Sequence, residues 1–162
     1  MFGLAPAYAL EADALERSYR EIQSQIHPDR YARAGDAERR ASQQWSAQVN
    51  EAYRVLKSPV RRAQYLLEMN GVDVRFETNT QMPTDFLLRQ LELREALEAA
   101  KHSAALDGLQ AQVRREKGLL EAAIARLADE RKDYAAAAGE VRKLMFLEKL
   151  GEEIDQAYEG VQ

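Results

Sequence analysis

A chain of 162 residues with no cysteine, four prolines and eight glycines has room for one ordinary domain or two small ones. It excludes disulfides, thiolate zinc sites and iron–sulfur clusters ligated by its own cysteines. Hydrophobic residues at 46% and charged residues at 31% suit short-looped helices over a turn-rich β fold, and the net charge of −4, with a pI near 5.4, argues against general nucleic-acid affinity.

No apolar run reaches the roughly 20 residues of a membrane span, and the N-terminus lacks the basic and apolar regions of a signal peptide. The expectation is a soluble cytoplasmic protein that meets no membrane. Ten basic and nine acidic residues leave +1 over residues 1–70, whereas thirteen and eighteen leave −5 over 71–162. The two halves are therefore expected to face different partners.

In residues 11–26, Leu15, Tyr19, Ile22 and Ile26 recur at the spacing of one buried helical stripe. Pro28 disfavours helical geometry at His27 and has no amide hydrogen, so the helix should end there and present His27-Pro28-Asp29-Arg30 on a loop. A second stripe, Ala41, Trp45, Val49, Ala52 and Leu56, predicts a helix over about 36–57, antiparallel to the first. Ser58 before Pro59 reads as an N-cap followed by proline at the first helical position, opening a third helix through Leu67 that Asn70-Gly71 stops.

Residues 71–83 show no sustained period and contain Gly, Asn, Thr and Pro, which places the domain junction there. Thr84 can cap the next helix. Three helices are predicted over about 84–100, 104–132 and 134–159. The middle one repeats Leu106, Leu109, Val113, Leu120, Ile124 and Leu127, near a heptad seam broken at Glu116. The expected fold is all-α: a helix pair with a presented loop in 1–70, a linker over 71–83, and a three-helix bundle over 84–162.

Two constellations could carry function. The first is the HPDR turn; the helix before it bears Arg17, Arg20 and Ser24 opposite its apolar stripe. An exposed Asp29 can accept a charge-assisted hydrogen bond from a partner's arginine, with Pro28 fixing the turn that presents it. Arg17, Arg20 and Arg30 would steer an acidic groove toward it, the plainer reading being a polar turn beside a solvated helix face. The second lies on helix 84–100. At roughly 100° per residue, Phe86, Leu93, Leu97 and Ala100 share a core face, while Leu87, Leu88 and Leu91 form a surplus apolar arc beside Glu95 and Glu98. Such an arc either packs against the N-terminal domain or meets a partner through apolar anchors and an acidic rim.

The sequence resembles the J-domain family, and more closely its HscB branch, which serves iron–sulfur cluster assembly. The resemblance rests on His27-Pro28-Asp29-Arg30, Val49-Asn50-Glu51-Ala52-Tyr53 with Leu56, and Ser58-Pro59 followed by Arg62-Ala63-Gln64-Tyr65-Leu66-Leu67. It continues through Phe86-Leu87-Leu88, Gln90-Leu91-Glu92-Leu93-Arg94-Glu95 and Val141-Arg142-Lys143-Leu144-Met145-Phe146-Leu147, nearly the whole chain. It implies a J-domain followed by a bundle. The J-domain would bind a DnaK/HscA-type chaperone through His27, Pro28, Asp29, Arg30, Arg17 and Arg20. The bundle would bind the IscU-type scaffold through Leu87, Leu88, Leu91, Glu92, Glu95 and Phe146. The alternative is an ordinary J-domain adaptor that recruits the same chaperone class to another client.

Three features depart from the family pattern. The chain opens Met1-Phe2-Gly3-Leu4 where the family usually has several more residues, so the first J-domain helix is expected to be shortened or absent, as a misplaced start codon would explain. Arg30 stands where lysine is common, keeping the charge but changing its geometry. Glu11 replaces the usual Asp cap and is the weaker one.

Catalysis is not expected. Only His27 and His102 are available, His102 reads as an incidental loop residue, and the chain has no Gly-rich phosphate loop or HExxH. No catalytic residue, metal site or cofactor is assigned. A nucleic-acid adaptor built on Arg39, Arg40, Arg61 and Arg62 is the more distant reading, and no nucleic-acid partner is expected.

Overall fold

In the computed structural model, which describes residues 2–74 and 82–160, the first predicted helix runs Ala12–Ile26 (α1). Glu11 makes no side-chain cap, as its type suggested; its carbonyl accepts from Leu15 N–H at 3.1 Å. The second runs Asp36–Lys57 (α2). The two are antiparallel, since contacts pair Glu16 with Tyr53, Tyr19 with Asn50, and Ile26 with Ser42. Phe2, Leu15 and Val49 are buried between them, with Leu4, Leu10, Tyr19, Ile22, Ile26, Ala52, Tyr53 and Leu56 packed around.

The stripe predicted for α2 is corrected in its first half. Ala41 is exposed and Trp45 is 54% exposed, while Ser42 is buried. Ser42 stands seven residues before Val49, about 20° from it around the helix, whereas Ala41 is about 80° away. A serine is tolerated there because its Oγ donates to Ile26 O at 2.7 Å, satisfying a C-terminal carbonyl of α1 that has no partner within its own helix.

Residues 2–11 contain no helix, yet Phe2 and Tyr8 are buried. The third helix, Pro59–Met69 (α3), ties this segment down. Arg62 Nε donates to Tyr8 O at 2.8 Å, and its guanidinium lies 5.0 Å from the Tyr8 ring centre. Ser58 Oγ accepts from Arg61 N–H at 3.3 Å, the predicted cap. The predicted stop is also there: Gly71 takes φ +75°, and Val72 N–H reaches back to Leu67 O at 2.9 Å.

The chain divides into two compact units between Leu66 and Leu67, inside α3, four residues before the expected 70/71 boundary. Residues 75–81 of the expected linker lie outside the described residues. The second unit holds helices Thr84–Ala99 (α4), Ser103–Ala125 (α5) and Tyr134–Gly160 (α6). Thr84 is the first helical residue and Pro83 the cap position, with no side-chain bond, so Thr84 does not cap. His102 is more than incidental: its Nδ1 accepts from Ala105 N–H at 3.3 Å and caps α5.

The predicted continuous helix over 104–132 ends differently. After Ala125 the chain widens into a π turn, Arg126–Glu130, with Arg131 N–H bonded to Arg126 O at 3.1 Å and Asp133 N–H to Leu127 O at 2.9 Å. Lys132 takes φ 56°, a conformation usually given to glycine. Asp133 Oδ1 then accepts from Ala136 N–H at 3.0 Å and opens α6.

Leu93, Leu106, Leu109, Val113, Phe146, Leu147, Leu150 and Ile154 form the core of this unit, each fully buried Leu or Ile contributing about 1.5–3 kcal/mol. The α5–α6 pair is edged by Gln110 to Asp155 at 2.6 Å, Lys117 to Glu148, and Tyr158 OH to Asp107 at 2.6 Å. The last bond, with Asp107's charge, pushes the Tyr158 phenol up to about 12. The all-α expectation of a helix pair followed by a three-helix bundle therefore holds among the described residues.

Candidate protein-docking sites

The HPD segment is a short 3₁₀ turn, Pro28–Tyr31, rather than an open loop. His27 has φ −57° and ψ 130°, the extended geometry that a following proline imposes. Its Nδ1 accepts from Asp29 N–H at 3.3 Å and lies 3.6 Å from the Asp29 carboxylate. Arg30 N–H closes the turn on His27 O at 3.0 Å, and Arg30 Nη1 reaches Ser24 O at 2.6 Å, capping α1. The turn is thus anchored by its backbone and by Arg30, while the Asp29 side chain stands 91% exposed. Of the arginines expected to steer a partner, Arg17 is exposed and Arg20 pairs with Glu16 at 2.9 Å. Arg20 therefore carries less free charge than its sequence position suggests.

Beneath the turn, α1 and α2 are locked by a polar network that the motif Val49-Asn50-Glu51-Ala52-Tyr53 supplies. Tyr19 OH donates to Asn50 Oδ1 at 2.9 Å, Gln23 Nε2 donates to the same oxygen, and Tyr53 OH donates to Glu16. Tyr19 and Tyr53 stack at 4.1 Å. The Tyr53 hydroxyl, helped by Arg20, holds the Glu16 carboxyl below its ordinary value of 4.5. A carboxyl lowered on folding stabilises the fold above its unfolded pKa, and that contribution is lost as pH falls through the folded value. Thermal melts should accordingly show the wild type ahead of Glu16→Gln at neutral pH, with the gap closing below about pH 4.5. A gap unchanged down to the acid limit would refute the assignment.

The second site is the outward face of α4. Phe86, Leu93, Leu97 and Ala100 turn inward, as their angular positions predict, and Leu88 and Leu91 are 59% and 55% exposed, with Leu87 exposed beside them. Glu92 and Glu95 are exposed on the same helix. Arg89 fixes its roll: Nη1 donates to Glu92 at 2.7 Å and Nε to Glu116 of α5 at 3.1 Å. Those two carboxylates, Glu116 foremost, raise the Arg89 pKa above its ordinary value. The seam break at Glu116 is thus the α5 end of this crosslink. On the other flank Arg94 reaches Glu153 of α6 at 3.3 Å.

Phe146, expected among the contact residues, differs. It is 9% exposed and belongs to the core, edge-on to Phe86 at 5.9 Å with the Arg94 guanidinium 5.5 Å from its ring centre. It can support the face from beneath but offers a partner little surface. Sequence reasoning also missed Leu119 of α5, 73% exposed, whose signal is an apolar residue off the buried seam. Among the described residues no cluster of acidic or histidine side chains could hold a metal, and no helix is long and apolar enough to cross a membrane.

Comparison with known proteins respects the same division. Residues 4–65 match the model of the DnaJ domain and residues 82–155 that of the HSCB C-terminal oligomerisation domain. The chain is 48% identical to the Co-chaperone protein HscB homolog of Cupriavidus taiwanensis, over 100% of this chain and 93% of that one. It is 47% identical to the homolog of Bordetella petrii, over 97% and 93%. Among solved structures it is similar to Chaperone HscB from Vibrio cholerae, with TM-score 0.84 and 33% identity over 99% of this chain and 96% of that one. The human co-chaperone protein HscB shares the fold, with TM-score 0.90 and 24% identity over 97% and 79%.

Proposed function

The chain belongs to the HscB family of J-domain co-chaperones, and from that membership we propose that it is a two-handed adaptor in iron–sulfur cluster assembly. One hand is the J-domain, which engages a DnaK/HscA-type chaperone through His27, Pro28, Asp29 and Arg30, with Arg17 and Arg20 steering the approach. The other is the α4 face, which holds an IscU-type scaffold through Leu87, Leu88 and Leu91 with Glu92 and Glu95 as its acidic rim. Phe146 serves that face from below, by backing Phe86 and Arg94. The protein works in the cytoplasm and supplies position and conformational bias, and the chemistry belongs to the chaperone.

The observation that carries this reading is the placing of an exposed carboxylate on a braced turn in one unit and exposed leucines on a braced helix in the other. With both occupied, tethering raises the effective concentration of scaffold at the chaperone's substrate site. The J contact shifts the chaperone toward its hydrolysis-competent state by binding that state better. Chaperone ATPase turnover with this protein alone, scaffold alone and both together should therefore rise more than additively. A strictly additive response would leave only the second reading, a J-domain adaptor for some other client, which the J-domain motifs favour equally.

A further inference from the structure

We infer that the scaffold-binding surface continues from α4 onto α5 through Leu119; the inference rests on the scaffold reading above. A specific interface takes roughly 20–30 residues a side, more than the outward face of the 16-residue α4 supplies. A partner seated on Leu87, Leu88 and Leu91 must therefore also cover a neighbouring helix. Each flank of α4 carries an ion pair, Arg89–Glu116 toward α5 and Arg94–Glu153 toward α6, and among the described residues α6 exposes no large apolar residue beyond its pair. On the α5 flank it meets Leu119, at 73% the most exposed of the large apolar residues among the described ones.

The register of the two helices brings Leu119 to the patch. Arg89 of α4 is bonded to Glu116 of α5, and Phe86 and Leu120 pack against one core, so the helices run antiparallel with residues 85–88 level with 117–120. Leu119 is three residues past Glu116 and shares its flank of α5, the flank turned toward α4. Leu88, four residues before Glu92, lies on the matching flank of α4, with Arg89 joining Glu92 and Glu116 between the helices. Leu88 and Leu119 therefore stand on either side of one ion-paired seam. Exposed Asp85, Glu92 and Glu95 border it on α4, and exposed Arg115 borders it on the far side of α5. The surface fits a scaffold with an apolar centre, basic side chains toward α4 and an acidic one toward Arg115.

The test is calorimetric titration of purified, cluster-free IscU-type scaffold into the 162-residue chain and into Leu119→Ala, Leu91→Ala and, as an exposed control on α3, Met69→Ala. Leu119 is so exposed that truncation leaves the core intact. Leu119→Ala is expected to weaken binding about threefold to tenfold, with Met69→Ala equal to wild type. If Leu91→Ala weakens binding and Leu119→Ala matches wild type, the α5 extension is wrong while the α4 site stands. If the wild type fails to bind, or Leu91→Ala changes nothing, the scaffold reading itself falls and takes the extension with it.

Discussion

Asp29→Asn is expected to remove stimulation of the chaperone's ATPase while leaving both the fold and scaffold affinity unchanged. The carboxylate is 91% exposed and, among the described residues, nears the His27 ring alone, while the turn is closed by backbone bonds and by Arg30 on Ser24. Asn keeps the size and one acceptor oxygen, so the turn has no reason to open. What is lost is the charge. Removing one partner of a desolvated, hydrogen-bonded charge pair costs about 2–5 kcal/mol, at least an order of magnitude in apparent activation. Steady-state ATPase assays with a titration of co-chaperone measure this, with a thermal melt confirming the fold. Retained stimulation would exclude Asp29 from the chaperone contact, and a parallel loss of scaffold binding would exclude two independent hands.

Leu91→Ala is expected to give the reverse pattern. The side chain projects from the middle of α4 into solvent, so truncation opens no cavity and alanine keeps the helix. If Leu91 is an anchor, its loss costs about 1–3 kcal/mol of scaffold affinity, or about 5- to 150-fold in Kd. ATPase stimulation in the absence of scaffold should stay at the wild-type level. Calorimetry and the same ATPase assay decide it, and an unchanged Kd would remove Leu91 from the site.

Much of this arrangement was legible in the sequence because helical periodicity and punctuation agree. Pro28, Ser58-Pro59 and Asn70-Gly71 mark boundaries that α1, α2 and α3 respect, and angular position alone separated inward Leu93 from outward Leu88 and Leu91. Where reading failed, a tertiary partner had overruled residue type. Ser42 shares the buried phase of Val49 and is tolerated there because its hydroxyl satisfies an α1 carbonyl, while Trp45 one turn on stays outside. The π turn after Ala125 leaves no mark in hydrophobic spacing, since Leu127 continues the seam through it. Phe146 matched a family contact position, but only the packing of Phe86 and Arg94 against it reveals that it lies underneath.

The bracing of α4 has a thermodynamic consequence. Its backbone bonds are already made and its roll is set by Arg89 and Arg94 on either flank. A protein docking on it orders side chains alone, the leucines at about 0.5–1 kcal/mol each and the rim glutamates at up to about 2 kcal/mol each, and no main chain on this side of the interface. Little entropy is then surrendered here, so the occupancy of the complex is governed by how slowly it falls apart rather than by any folding that must precede it.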